Sequence, residues 1–356
     1  MKGEVVYFYA FDVANEIAIS KVHEILANRP VPFEINTDHT IPKDIPLYKP
    51  ISIELPSLNV LENGQPIRTL VHVYEIGVIS IMLRIVFEKK DFGDLIHYHK
   101  PTLNNGKTLN QVAKDICQQA FDSLKQVLLQ PNTISEPEAY TSFCITDIGS
   151  KTDLSDWISK KRERITELLT ENKPGVLNDM QVNEVMRLQR AYSSTDVTII
   201  DWDAAFVVDL SGYVEDVLYV LELANLQLEE YLVLDKRLDN YLNKSYDDIK
   251  YNRIRPGTST KILRKLRTLR VDVTKLNDEV TNITKFSGDW YLARLYLCAK
   301  ERFHLNQWRN SVETKIKQLD DVYTVIQNEI NNLRMVSLEI IIVVFFAIDL
   351  LLRFIK

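Results

Sequence analysis

The run Val336-Ser-Leu-Glu-Ile-Ile-Ile-Val-Val-Phe-Phe-Ala-Ile-Asp-Leu-Leu-Leu-Arg-Phe-Ile-Lys356 limits this chain more than any other stretch. As a helix, residues 335–355 measure about 21 residues and roughly 31 Å, the thickness of a hydrocarbon core. A core helix of that length should carry a polar stripe, and 340–348 carries none. The expected anchor is defined by Leu338, Glu339, Ile340, Ile341, Ile342, Asp349 and Arg353. Glu339 lies one turn in, at interface depth. Asp349 and Arg353 are spaced i,i+4 and can pair on one face. Arg353 and Lys356 can also snorkel to the headgroups. A charge at the bilayer centre costs about 2.5–3.5 kcal/mol on insertion scales, and less near the ends.

The remainder reads as a water-soluble body. Its 26% charged residues and net charge of −6 argue against a nucleic-acid protein overall. The first twelve residues hold a short apolar run broken by Asp12, so they read as a strand and not as a signal peptide. The soluble part is therefore expected in the cytoplasm, held to the cell membrane by a single pass. Cys117, Cys144 and Cys298 are far apart in sequence, with no Cys-x-x-Cys, and read as reduced thiols.

Taken in order, residues 4–11 read as a buried strand. Asn15 reads as the cap of a helix carrying Ile17, Ile19, Val22 and Ile25. Prolines 30, 32, 42, 46 and 50 exclude helix from the link that follows. Residues 51–55, 70–75, 78–87, 141–146, 196–200 and 204–208 read as strands. Turns are expected at Glu62-Asn63-Gly64-Gln65 and Asp201-Trp202-Asp203, and a break at Gly77. Helices are expected over 108–129, over 154–169 and around 183–186. Interleaved strands and helices make 1–209 an α+β domain.

After Asp209 the pattern turns wholly helical. Val214, Val217, Leu221, Ala224, Leu228, Tyr231, Asp235, Leu238 and Leu242 alternate by three and four, broken in character only by Asp235. The second such series runs from Ile262 to Ile283. The third runs from Leu305 through Trp308, Val312 and Ile316 to Leu333, with a stutter at Val312. No Pro or Gly follows Gly288, so the last helix is expected to run unbroken into the anchor, about 65 residues and roughly 100 Å. The expectation is a helical bundle or coiled-coil stalk over 210–334 and a transmembrane helix over 335–356. Heptads alone leave open whether the bundle closes within one chain or joins several into a homo-oligomer.

At Phe286-Ser-Gly-Asp-Trp-Tyr-Leu-Ala-Arg-Leu-Tyr296 and Leu338-Glu-Ile-Ile-Ile-Val-Val the chain resembles the "required for meiotic nuclear division" proteins, also grouped as a domain of unknown function. The matching positions are Trp290, Leu295, Tyr296, Leu338, Glu339 and Ile340, Ile341 and Ile342. The resemblance implies an N-terminal α+β part and a long helix ending in the membrane. Eukaryotic members are membrane-anchored organellar proteins linked to translation, with no established enzyme activity; the organelle-targeting start is missing here. The plan is also similar to magnesium channels of the CorA type, without their second membrane helix or Gly-Met-Asn signature.

Chemical motifs are sparse. No Gly-x-Gly-x-x-Gly, Gly-x-x-x-x-Gly-Lys or His-Glu-x-x-His occurs, and neither a cofactor nor a catalytic residue is expected. His72 reads as a satisfied sheet histidine. His97 with His99, and Asp201 with Asp203, are weak metal candidates. One constellation points outward: Arg253, Arg255, Lys261, Arg264, Lys265, Arg267 and Arg270 crowd a short stretch of an acidic chain. The bland reading is a solvated, ion-paired face. The sharper one is an anionic partner such as RNA, phospholipid headgroups or an acidic protein. The function expected is a non-enzymatic, membrane-anchored scaffold that binds lipid and self-assembles. The alternatives are an oligomeric CorA-like ion conductor, or an enzyme in the α+β domain.

Overall fold

Residues 2–12 hold Val5, Val6, Tyr7, Phe8, Tyr9, Ala10 and Phe11 in sequence, apolar on both faces of a strand, and such a strand is stable only at the centre of a sheet covered on both sides. A computed structural model describes residues 1–25, 30–31, 49–57, 60–89, 91–149, 152–210, 212–250, 271, 274 and 290–355. In chain order the elements are β1 (Lys2–Asp12), β2 (Ala14–Ile17), α1 (Ile19–Ile25), β3 (Pro30–Val31), β4 (Ile51–Leu55), β5 (Arg68–Val73), β6 (Val78–Glu88), α2 (Leu109–Leu124), β7 (Leu128–Pro131) and β8 (Glu138–Asp147). There follow α3 (Leu154–Leu169), α4 (Asp179–Arg187), β9 (Gln189–Arg190), β10 (Asp196–Ile200), β11 (Ala204–Asp209), α5 (Val214–Lys250), α6 (Trp290–Arg302) and α7 (Leu305–Ile355). Among the described residues, nine strands form one sheet in the order β3-β4-β5-β6-β1-β8-β11-β10-β9, and β2 pairs with β7 apart from it. Strand β1 is indeed interior, antiparallel to both β6 and β8, while β8 and β11 run parallel.

The chain divides into two compact units, one of Met1–Tyr231 with Leu276–Asn306, the other of Leu232–Lys275 with Gln307–Lys356. The sheet unit thus extends past Asp209 to Tyr231 and takes in Leu276–Asn306. The reason lies in α5. From Asp216 to Glu229 every residue of α5 is buried, on all sides of the helix and not along one seam. A helix buried all round belongs inside a domain.

Within the sheet unit, one face of the sheet carries Val5, Tyr7, Tyr9 and Phe11 of β1 beside Ile79, Ile81, Leu83 and Ile85 of β6 and Phe143 of β8. These join Val112 and Ile116 of α2 and Trp157, Ile158 and Ile165 of α3 in a continuous core. Each such side chain contributes about 1.5–3 kcal/mol on burial. Thr108 caps α2, and its hydroxyl accepts from the Gln111 N–H in a full capping box. Helix α3 begins behind Asp153, whose side chain accepts from the Ser155 N–H. Gly77 closes the β5–β6 hairpin at φ +93, and a Cβ there would stand 1.9 Å from the Ala14 carbonyl oxygen, so only glycine fits. Cys117, Cys144 and Cys298 are free and buried.

Three expectations are corrected. Asn15 caps no helix: it lies in β2, and its side-chain amide donates to Gln130 Oε1 at 2.9 Å. The helix expected over 108–129 ends at Leu124, because a 3-10 turn over Lys125–Val127 hands the chain to β7. The helix expected to run unbroken after Gly288 is interrupted within its described part. It breaks at His304, which has φ 51, so α7 is 51 residues, roughly 77 Å, in place of 65. Phe303 turns into the sheet unit there, its ring 4.9 Å from that of Tyr140.

Candidate functional site

Helix α7 carries the apolar segment Arg334–Leu352, 19 residues of which none is buried. Leu338, Ile340, Ile341 and Ile342 are about half exposed, and Phe345 and Phe346 are 68% and 71% exposed. A core helix of this composition would be covered. Uncovered in water, such a surface forfeits about 25 cal/mol per Å² of apolar area, so the segment is suited in length and composition to lipid. Glu339 and Asp349 stand on it exposed. Arg353 falls within the helix, but its side chain lies outside the described ones, as does the basic stretch of Arg253, Arg255, Lys261, Arg264, Lys265, Arg267 and Arg270.

Upstream in the same unit, the residue that breaks the heptad series has partners. Asp235 accepts from Ser311 Oγ at 2.8 Å and pairs with Lys315 Nζ at 2.8 Å; Lys315 also meets Asp239 at 2.7 Å. The contacts climb in the same direction on both helices. Around them, Leu238, Leu242, Val312, Ile316, Leu319 and Tyr323 are buried. A polar pair inside an apolar seam fixes register at some loss of stability.

In the sheet unit, the second face of the sheet is the unusual one. Cross-strand register sets Ser52, His72, Ser80, Ala10 and Glu138 in one row across β4, β5, β6, β1 and β8. Helix α5 brings Glu222, Asn225 and Glu229 to the sheet, spaced three and four apart on one side. His72 Nδ1 lies 2.8 and 2.9 Å from the two carboxylate oxygens of Glu222, with side-chain exposures of 4% and 1%. Asn225 donates to the Glu138 carbonyl at 3.2 Å. In the same strand as Ser80, Arg84 bridges Glu4 and Glu215. Serine, histidine and carboxylate in one row are the residue types of acyl transfer. Ser80 is fully enclosed and His72 is 3% exposed, so the row lies under the helix and shut off from solvent.

Acids gather where this row ends. Burial first, then the like charge of Asp12, pushes the Glu229 carboxyl up to about 8, against backbone N–H groups of Asp12 and Glu138 that favour its charged form. Burial and then Asp203 push Glu138 up to about 7. Unfolded, both titrate near 4.5, so between 4.5 and these values the folded chain holds protons the unfolded chain has lost. Their contribution is complete below about pH 4.5 and disappears as pH climbs through about 7 to 8. Glu229→Gln is expected to remove part of this slope, leaving the variant the more stable protein at about pH 9. Thermal melts of both proteins across that range check this, and identical slopes would refute it.

Other residues marked in the sequence are placed as follows. His99 Nε2 meets the Leu168 carbonyl at 2.6 Å and Nδ1 lies 3.3 Å from Glu171, with burial holding its pKa down. His97 lies in the 3-10 turn that ends at His99. Asp201 and Asp203 flank the β10–β11 turn; Asp201 is held 3.5 Å from Arg302. Among the described residues no group of three His, Cys, Asp or Glu could hold a metal ion. The Glu222 partner of His72, 150 positions away, carried no local signal in the sequence.

No solved structure matches the chain. The chain is 23% identical over 242 residues to an uncharacterised protein, MJ0711, of Methanocaldococcus jannaschii, covering 68% of this chain and 74% of that one. A family model described as the N-terminal domain of uncharacterised protein MJ0711 matches residues 2–214, which span the sheet from β1 through β11 and stop at the first residue of α5. With well over half of its length inside that match, the chain belongs to the MJ0711 N-terminal domain family.

Proposed function

We propose that this protein is a non-enzymatic, single-pass membrane scaffold whose helical unit joins copies of itself. One observation supports the reading above the others: the uncovered apolar segment Arg334–Leu352. Lipid removes that surface from water without any protein partner. The resemblance to the "required for meiotic nuclear division" proteins, through Trp290, Leu295, Tyr296 and residues 338–342, leans the same way. The buried heptad positions of α5 and α7 favour a bundle, and the number of chains in it is the self-assembly part of the proposal. The soluble part would face the cytoplasm. The full chain is expected to sediment with membranes, resist alkaline carbonate, and give dimers or larger species on crosslinking in native membranes. Recovery in the carbonate supernatant would end the anchor; monomers alone on crosslinking would end self-assembly.

The basic stretch around Lys261 is proposed to meet an anionic partner, RNA, phospholipid or acidic protein. A phosphate partner predicts capture that weakens steeply with salt, and capture unchanged at about 0.3 M salt would count against it. Glu339 and Asp349, two acids on one apolar segment, favour a second reading as an oligomeric CorA-like conductor. Liposome flux unaffected by Glu339→Gln with Asp349→Asn removes it.

A further inference from the structure

A pocket of about 500 Å³ opens between α3, α4 and the β9–β10 connection, remote in sequence from the apolar helix and from the buried row. It is within the size range of small-molecule sites. Ile158, Met186 and Val197 give it an apolar floor, each at most 9% exposed. Two guanidinium groups, of Arg162 and Arg190, line the same space. Arg162 donates to the side-chain oxygen of Asn183, and Arg190 donates to the Gln189 carbonyl at 2.7 Å. Both acceptors are neutral, and neither arginine has a carboxylate partner among the described residues. That is unusual in a chain of net charge −6.

Asp196 also lines the pocket, but its carboxylate is occupied. It accepts from the Tyr192 N–H at 2.8 Å, the Ser193 N–H at 2.6 Å and the Ser193 hydroxyl at 2.7 Å. The exposed hydroxyls of Ser159 and Ser194 supply further donors at the rim. Two guanidinium groups without carboxylate partners outweigh the single, hydrogen-bonded carboxylate of Asp196, and with neutral donors and an apolar floor they match a ligand with an anionic head and an organic body. Guanidinium forks suit phosphate oxygens in particular.

We propose that this pocket binds a phosphorylated small molecule of mononucleotide size, its phosphate between Arg162 and Arg190 and its organic part on the apolar floor. The reading is independent of the membrane scaffold and survives its failure.

The test is calorimetric titration of the full chain in detergent with AMP, GMP, CMP, UMP and glucose 6-phosphate, with adenosine and inorganic phosphate as controls. At least one organic phosphate is expected to bind with a Kd below about 0.1 mM. Arg162→Ala and Arg190→Ala should each weaken it about tenfold or more, because each deletes charge-assisted hydrogen bonds. Ser194→Glu, on the exposed rim, should abolish binding without disturbing the fold, and so guards against arginine variants that fail to fold. Adenosine should bind at least about tenfold more weakly than AMP if AMP is a ligand. The proposal is overturned if no organic phosphate binds below about 1 mM, if binding survives both alanine substitutions and Ser194→Glu, or if inorganic phosphate binds as tightly as the organic phosphates.

Discussion

His72→Leu is expected to destabilise the sheet unit by about 1–3 kcal/mol, the cost of leaving a buried carboxyl group without its hydrogen-bond partner. Glu222 is 1% exposed, and both of its carboxylate oxygens face His72 Nδ1, at 2.8 and 2.9 Å. Leucine fills the space but donates nothing. The carboxylate must then take up a proton or draw the helix away from the sheet. The ring of Tyr74 stands edge-on to His72 at 6.4 Å, and burial first, then the Glu222 charge, push the Tyr74 hydroxyl pKa up. The double change His72→Leu with Glu222→Leu should recover most of the loss, since replacing both partners of a buried polar pair by apolar groups of similar shape is nearly neutral. Urea unfolding of the full chain in detergent, followed by far-ultraviolet dichroism, measures both. A single-variant loss below about 1 kcal/mol would mean that the carboxylate finds water, contrary to its enclosure.

The second large effect tests the proposed attachment to lipid. Val343→Arg with Phe346→Arg puts two guanidinium groups near the middle of the apolar segment, where each costs about 2.5–3.5 kcal/mol. Together they are expected to cost about 5–7 kcal/mol and to shift the chain from floating vesicles to the soluble or aggregated fraction. Val325→Glu is the control: Val325 is 56% exposed on the same helix but outside the segment, and it should leave flotation unchanged. A doubly substituted chain that floats like the parent would show that attachment lies elsewhere.

The parts legible in the sequence were those whose signals are local. Helix α3 reads off its charged and apolar faces as 154–169, and β10 and β11 read off their apolar runs around the Asp201-Trp202-Asp203 turn. The heptad positions of α5 are buried as their spacing implies, from Val214 to Leu242, with Asp235 set against Lys315. What the spacing hid was that the other sides of the same helix, at Leu218, Tyr219, Val220 and Leu226, are buried too. Period alone cannot separate one seam from enclosure on all sides. The break at His304 had no Gly or Pro to announce it; the residue takes φ 51 where Phe303 turns into the sheet unit. Asn15 misled because its residue type favours helix starts, while the pairing of β2 with β7 decided otherwise. The polar row was beyond reach, since strand register and a helix from the far end of the domain create it together.

The order in which the sheet unit is assembled bears on how such a polypeptide can be made. Strand β1 is made before its neighbours β6 and β8, which end only at Glu88 and Asp147. Pairing over that separation is slow, and until then a stretch rich in Val, Tyr and Phe is open to wrong partners. Closure waits longer still, for Leu276–Asn306, and Arg334–Leu352 is translated soon after. Until those partners are made β1 stays open to mispairing, and the last piece of the sheet unit is followed closely by the most apolar segment of the described chain, so the two most water-averse parts of the polypeptide are unprotected at opposite ends of its synthesis.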